Sequence, residues 1–393
     1  MAVPLAPIDR ELPTDEARDL IGLTREVTER ELVPRVAAAE ETGTFPRDLI
    51  AMIGELGLLS LPYPERYGGG GQPATVYLQV LEELARGYVA MAMSVSVHVL
   101  ACHGVAGFGS DEQRERLLPD MLSGRTLGAY CLSEPHAGSD PAAMRTRAKR
   151  LGTGAGYSVT GSKAWITHGP VADFYLLLAR TSDDGSHGIS AFYVPAGVDG
   201  LETLPPEHKM GLRSSPTSGV RFDNVAVSTD QLIGVEGQGF SIAMSALDTG
   251  RLGIAACAVG LAQSALDTAV SYAQERRAFG RSIDAFQGVS FLLADASAQI
   301  VAARQLYLYA ARRKDAGLPF ATEAAMAKLT ATDMAMSVTT NMVQVLGGAG
   351  YVTDYPVERY MREAKVLQIV EGTNQIQRMV IARALRGSQG GNR

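Results

Sequence analysis

Residues 157–180, YSVTGSKAWITHGPVADFYLLLAR, decide how the rest of the chain is read. Their β-branched and aromatic residues come in short runs punctuated by Gly and Pro, the pattern of strands rather than helices. The same pattern extends from about Thr126 to Val227 and takes in ISAFYV and GVRFDNVAV, so this middle block is a β-domain. On the N-terminal side, from Thr14 to about Leu122, the pattern is helical, with stops expected at Pro34, at Gly57 and across LPYPERYGGGGQP, 61–73. Ser110 and Gln113 have the spacing of a capping box that opens a helix through Leu117. On the C-terminal side, after GVEGQGF, four long helical segments are expected near 238–275, 285–315, 320–347 and 373–386, enough for a four-helix bundle.

Helices, then strands, then helices is not the alternation that builds a doubly wound sheet. The expectation is an α+β multidomain fold: an N-terminal α-helical domain over 1–124, a middle β-barrel-like domain over 125–235 and a C-terminal helical bundle over 236–393. A length of 393 residues agrees, being more than one core usually holds. With 46% hydrophobic and 20% charged residues the chain is globular in composition. A net charge of -6 without a long basic run makes nucleic acid an unsuitable partner. The three cysteines, Cys102, Cys131 and Cys257, include no C-x-x-C pair, which points to a reducing compartment and to the cytoplasm. The N-terminus has no secretory pattern, and no window holds 18 uninterrupted apolar residues, so no membrane span is expected. The terminal GSQGGNR reads as a frayed tail.

Several motifs fail on inspection. Gly68–Gly71 lacks the Lys-Ser/Thr and the preceding strand of a phosphate loop and reads as a mobile surface turn. Neither GTGAGY, 152–157, nor LGGAGY, 346–351, is a dinucleotide fingerprint between a strand and a helix. His98 and His103 are five apart on a helix, off a common face, and no metal site is expected.

Four segments carry chemistry. AYCLSEPHAGSD, 129–140, joins a short strand to a turn; Tyr130, Leu132 and Ser133 suit a flat heterocycle, and Gly138 and Ser139 let backbone amides approach a phosphate. From the residues alone, an ordinary Gly/Pro turn is the commoner explanation. GSKAWITHG, 161–169, holds the single tryptophan; on a strand Trp165 and Thr167 share a face and together cover a ring, although a core role for Trp165 is the commoner case. In ERRAFGRSIDAFQ, 275–287, Arg276 suits a pyrophosphate and Phe279 and Gln287 an adenine, against the plainer reading of a solvated helix end. In QIVEGTNQIQR, 368–378, Glu371 stands between Val370 and Gly372, where desolvation raises a carboxylate toward general-base range. Thr373 is placed to cap the next helix. Glu371 as a first-turn acid held by the helix dipole is the alternative.

Taken together, in this order and spacing, the four segments resemble the acyl-CoA dehydrogenase family. The resemblance runs from the YGG loop to the last helix and includes LDTGRLGIAACAVGLAQSALD, 247–267, and QVLGGAGYVTDYPVERYMREAK, 344–365. It implies FAD as cofactor. Tyr130, Leu132, Ser133, Gly138 and Ser139 match the family's flavin-binding turn, and Trp165, Ile166 and Thr167 the strand beside the isoalloxazine. Arg276, Phe279, Phe286 and Gln287, with Gln344, Gly347 and Gly348, match positions that hold the adenine and pyrophosphate across a subunit interface, which implies a homo-oligomer, in this family a tetramer. Thr373 and Gln375 match further FAD contacts. Ser139, Asp248, Arg251 and Gly372 match substrate contacts, and Glu371 matches the base that takes the α-proton of an acyl-CoA. The family fold, a trans-2-enoyl product and an electron-transferring flavoprotein as acceptor are implied with them. The LDTGR segment looks closer to short- and branched-chain members. A carrier-protein thioester as substrate, a flavin oxidase or oxygenase, and a non-catalytic flavin-binding protein are the alternatives.

Overall fold

The computed structural model describes residues 7–152, 154 and 156–389, with side chains to 386. Thr153 and Ala155 of GTGAGY, and the end of the terminal GSQGGNR, lie outside the described residues. Six helices come first: α1 (Asp15–Val27), α2 (Val33–Thr42), α3 (Arg47–Glu55), α4 (Ala74–Gly87), α5 (Val89–Phe108) and α6 (Asp111–Leu122). Eight strands follow: β1 (Gly128–Cys131), β2 (Arg147–Arg150), β3 (Tyr157–Thr167), β4 (Phe174–Arg180), β5 (Ile189–Pro195), β6 (Leu201–Thr203), β7 (Thr217–Val227) and β8 (Leu232–Ile233). They form one sheet in the order β6-β7-β3-β2-β4-β5-β8, with β1 pairing in parallel to β4. The last part comprises α7 (Gly239–Glu275), a small hairpin of β9 (Arg277–Ala278) and β10 (Arg281–Ser282), α8 (Gln287–Asp315), α9 (Ala321–Leu346), α10 (Gly348–Tyr351), α11 (Val357–Leu367) and α12 (Asn374–Gln389).

Local chemistry explains most element ends. Ser110 and Gln113 make the reciprocal capping box of α6. Gly57, beyond α3, takes a left-handed φ of 75°. Pro34, however, does not stop a helix. A π-helical turn over Thr28–Leu32 joins α1 to α2, and the helix runs on through Pro34 at the beginning of α2. The Gly68–Gly71 turn is also not free: the N–H groups of residues 68 to 72 all bond to carbonyls between Ser60 and Glu65, and a Cβ on Gly69 would lie 2.0 Å from the Tyr63 carbonyl. YSVTG and KAWITH, read as separate runs, form the single strand β3, with a bulge between Lys163 and Ile166. Inside the last helical region the sequence reading omitted α10, α11 and the β9–β10 hairpin.

Two cores result. One runs continuously through the first and last helical regions, because α7 packs against α4 and α5 as well as α8 and α9. The other lies in the sheet around Tyr157, Tyr175, Phe192 and Phe222. By length and composition α5 and α7 are apolar enough to cross a membrane, yet most of each is buried against the rest of the protein. The three cysteines are buried and free.

Candidate active site

Between α11 and α12 the backbone makes a left-handed turn at two consecutive residues, Glu371 (φ 52°) and Gly372 (φ 89°). The second is ordinary for glycine; the first costs a side-chain-bearing residue roughly 1–3 kcal/mol and persists only where the surroundings impose it. They do so here. Asn374 N–H donates to Gln368 O at 3.0 Å, Gln377 Nε2 to Gly372 O at 2.8 Å, and Lys328 Nζ, from α9, to the same carbonyl at 2.9 Å. Thr373 Oγ1 accepts from Ile376 N–H at 3.3 Å, capping α12 as expected.

The turn drives the Glu371 side chain against α7. A Cβ built on Gly250 would lie 1.8 Å from Glu371 Oε2, so only glycine at 250 leaves the carboxylate its place. The residue as a whole is half-buried, but both carboxylate oxygens are closed to solvent and bond to no described residue. Burial pushes the carboxyl up to about 7, although Arg251 and Lys328 pull it back down. Tyr77, Tyr130 and Cys257 stand in its field, and its charge helps to raise each of them after burial has done most of the work. Arg251 Nη1 donates to Asp248 Oδ1 at 2.6 Å, and burial raises the Asp248 carboxyl although Arg251 lowers it. Beside this group a cavity of about 260 Å³ is lined by Tyr77 of α4, Ser96, Val99 and Leu100 of α5, and Gly250 and Gly253 of α7.

A second constellation flanks it. Beyond β1 the turn of residues 132–139 is pinned from within by the buried Glu134, whose carboxylate accepts from Arg145 N–H at 2.7 Å, Thr146 N–H at 2.9 Å and Lys163 Nζ at 2.9 Å. Lys163 also donates to Leu132 O at 3.0 Å, and Ala164 N–H to Ser133 O at 2.9 Å, which fixes the turn to the bulge of β3. At that bulge Trp165 takes φ 62°, Ile166 turns into the sheet core, and the indole is left 64% exposed with Thr167 half-buried. Tyr130 reaches the other way, donating from its hydroxyl to Ala243 O on α7 at 3.3 Å.

The site thus joins an unpaired carboxylate beside a cavity to a pinned turn and bulge that leave an aromatic plane uncovered, with Tyr130 of β1 between them. Family models for the acyl-CoA dehydrogenase N-terminal, middle and C-terminal domains match residues 14–125, 129–225 and 237–386. The chain belongs to the acyl-CoA dehydrogenase family. It is 44% identical over 377 residues to an acyl-CoA dehydrogenase of Bacillus subtilis, covering 95% of this chain and 99% of that one. Its fold matches the butyryl-CoA dehydrogenase of Megasphaera elsdenii with a TM-score of 0.93 at 41% identity, over 96% of this chain and 100% of that one. A chain in the structure described as an electron transferring flavoprotein of Acidaminococcus fermentans matches with a TM-score of 0.93 at 42% identity, over 96% of this chain and 99% of that one.

FAD is the cofactor of acyl-CoA dehydrogenases, and the residues present fit it. An indole 64% exposed on a fixed bulge is a costly surface unless a flat ring covers it, and the Ser133 and Thr167 hydroxyls beside it bond to no described residue. Within this chain, however, the expected cofactor residues fall into separate groups. Arg276, Phe279, Phe286 and Gln287 lie on the β9–β10 hairpin and the start of α8, where Phe279 is 95% exposed and its ring stands 6.0 Å from that of Phe286. Gln344, Gly347 and Gly348 lie exposed at the end of α9. Among the described residues no hydrogen bond, ion pair or ring contact ties either group to the Glu371 turn. Gln375 is exposed on the first turn of α12, and Gly138 and Ser139 are exposed in the pinned turn. Sequence reasoning missed Lys328 and Tyr77; a lone basic residue in the small-residue run AAMAKLTAT was the available signal for the first.

Proposed function

We propose that this protein desaturates a short acyl-CoA, with Glu371 taking the proton from the α-carbon of the thioester. The observation that carries this is the Glu371 carboxylate, closed to solvent, without a hydrogen bond and raised to about 7. A base with that pKa is ionised in about half of the molecules at neutral pH, yet holds a proton better than an exposed carboxylate does. Its own backbone N–H bonds to no described residue, which supports a role as donor to the thioester carbonyl oxygen, where negative charge develops as the α-proton leaves. The Asp248–Arg251 pair, Ser139 and Gly372 are the residues proposed to hold the coenzyme A end. The cavity between α4, α5 and α7 receives the acyl chain and keeps water from the base.

FAD, when bound, supplies the acceptor for the β-hydride. Tyr130, Leu132, Ser133, Gly138, Ser139, Trp165, Ile166 and Thr167 are proposed to hold its flavin end, with Thr373 and Gln375 beside them. Arg276, Phe279, Phe286, Gln287, Gln344, Gly347 and Gly348 are proposed to hold the adenine end of a neighbouring subunit's cofactor. The exposure of most of them and their separation from Glu371 support that division, and with it a homo-oligomer, which we take to be a tetramer. An electron-transferring flavoprotein is the proposed electron acceptor, and the three buried free cysteines support a cytoplasmic location.

Anaerobic mixing of the FAD-loaded protein with butyryl-CoA is expected to bleach the flavin absorbance. Glu371→Gln should bind FAD and lose at least about 10²-fold in the bleaching rate, the lower range for a positioned base; normal bleaching by that variant removes Glu371 from the reaction. A series of acyl chains from C4 to C16, each offered on coenzyme A and on a carrier protein, fixes both chain length and carrier.

A further inference from the structure

Lys328 is an unexpected residue to find where it is. It stands inside α9 in AAMAKLTAT, wholly buried, and burying an ammonium is costly unless something compensates it. Among the described residues no carboxylate lies within ion-pair distance of it. Its two hydrogen bonds go to neutral oxygens, Gly372 O at 2.9 Å and Asn374 Oδ1 at 2.9 Å. The first is the carbonyl of the left-handed turn, and the second belongs to the first residue of α12. Asn374 is held in place by the same helix: its Nδ2 donates to Thr332 Oγ1 at 2.9 Å and to Asp333 Oδ1 at 2.7 Å. Gln368 Nε2, on the other side of the turn, donates to Asp333 Oδ1 at 2.6 Å. One face of α9 therefore grips both ends of the segment that carries Glu371.

We propose that Lys328 is the positioning residue of the base, its ammonium anchoring the strained Glu371–Gly372 turn and placing an unneutralised positive charge behind the carboxylate which that turn presents. Anchoring alone does not require a charge, since a neutral donor would satisfy the same two oxygens at a smaller desolvation cost. The charge has one group to act on that lacks a partner. Around Glu371 stand Tyr77 from α4, Tyr130 from β1, Arg251 and Cys257 from α7, and Lys328 from α9; around Lys328 stand Glu371, Arg251 and Asp333. Arg251 is already paired with Asp248, and Asp333 with Arg378 at 2.9 Å. Burial pushes the Lys328 ammonium down to about 7, and Glu371 holds it up against that. By reciprocity a protonated Lys328 favours the ionised form of Glu371, the form that accepts the α-proton.

The inference rests on Glu371 being the base, and the test separates the two. The carboxyl stretch of protonated Glu371, assigned by its absence in Glu371→Gln, is followed against pH by infrared difference spectroscopy of the FAD-loaded protein without substrate. Lys328→Met is expected to raise the midpoint from about 7 by roughly one unit or more, as loss of a nearby opposite charge does. Lys328→Arg should leave it in place. With butyryl-CoA, flavin reduction in Lys328→Met should fall by about 10²-fold at neutral pH, the scale of a displaced base, and recover in part as pH rises. Lys328→Gln, which keeps a donor, should shift the midpoint like Lys328→Met if the latter fails to fold. An unshifted midpoint in a folded neutral variant, or a rate loss equal at every pH, overturns the proposal. So does a result in which neither neutral variant folds while Lys328→Arg does, because the role is then one of folding. Normal bleaching by Glu371→Gln instead overturns the assignment of the base and leaves the infrared shift standing.

Discussion

Gly250 is as necessary to the site as Glu371, and for a reason that only the folded chain reveals. An alanine there places a methyl carbon 1.8 Å from Oε2 and 2.7 Å from Cδ of Glu371, so the carboxylate, as the far end of a flexible side chain, must give way. The helix itself gains slightly, since alanine is favoured over glycine in a helix interior by roughly 0.5–1 kcal/mol. Gly250→Ala is therefore expected to keep its thermal midpoint and its FAD while losing about 10²-fold in flavin reduction by butyryl-CoA, the scale of a base moved by an ångström. A variant that reduces normally would show that the carboxylate works from elsewhere. The pH dependence belongs to the same residue: because the carboxylate must be ionised to accept a proton, reduction at low substrate should rise with pH through about 7, and a flat profile across that range contradicts the burial of Glu371. From the sequence, desolvation of Glu371 between Val370 and Gly372 was legible. Its left-handed φ and the approach of α7 were not, because both depend on contacts with residues far away along the chain.

At the scale of elements, helix and strand existence was readable wherever a pattern ran for several turns or a full strand, and failed at a proline and a bulge. Pro34 read as a stop. The helix instead runs on through it, because the π-helical turn over Thr28–Leu32 passes α1 directly into α2. Period-2 alternation likewise could not disclose the bulge that turns Trp165 outward. Among the helices that were missed, α11 holds a group with a consequence of its own. Glu363 is buried against the loop before β7, with Arg359 Nε 3.6 Å away and Oε1 bonding to no described residue. Burial above all, helped by Glu40, which is bonded to the Arg213 and Ser214 amides of that loop, and opposed by Arg359 and Arg362, raises its carboxyl to about 8. A folded-state pKa above the ordinary 4.5 means that the native protein holds the proton more tightly, so this contribution to stability is complete below about 4.5 and lost as pH rises through about 8. In urea unfolding, Glu363→Gln should decline less than the unsubstituted protein between about pH 5 and pH 9; equal slopes would show that Glu363 does not titrate in that range.

Across the whole molecule, the division into helices, sheet and helices was legible, but not that the outer two parts share one core. Short-range periodicity says nothing about which faces meet, and the sequence treated the last helices as a bundle of their own. A buried network of charges makes the joint specific. Arg10, ahead of α1, donates to Glu82 Oε1 at 3.2 Å and Glu83 Oε2 at 2.6 Å of α4. Arg304 of α8 meets Glu82 at 3.0 Å, Arg25 of α1 meets Glu83 at 3.1 Å, and Arg86 links Glu83 to Asp267 of α7 at 2.9 and 3.0 Å. Burial by itself would raise the Glu82 carboxyl; Arg10 and Arg304 overcome it and hold the group at about 2. Removing Arg10 leaves Glu82 with Arg304 as its one remaining cation and the buried cluster short of a positive charge, so Arg10→Met should destabilise the protein by roughly 3 kcal/mol in urea. Arg10→Met with Glu82→Gln should cost clearly less than the sum of the two single changes, because the pair then leaves together. The pH dependence has the opposite sign to that of Glu363: stability from a depressed carboxylate is present above about 4.5 and lost as pH falls through about 2. In Arg10→Met the Glu82 carboxyl rises, and the acid-side loss should begin at higher pH than in the unsubstituted protein. Strict additivity together with an unmoved acid limb would mean that Arg10 packs against α4 without holding it by charge.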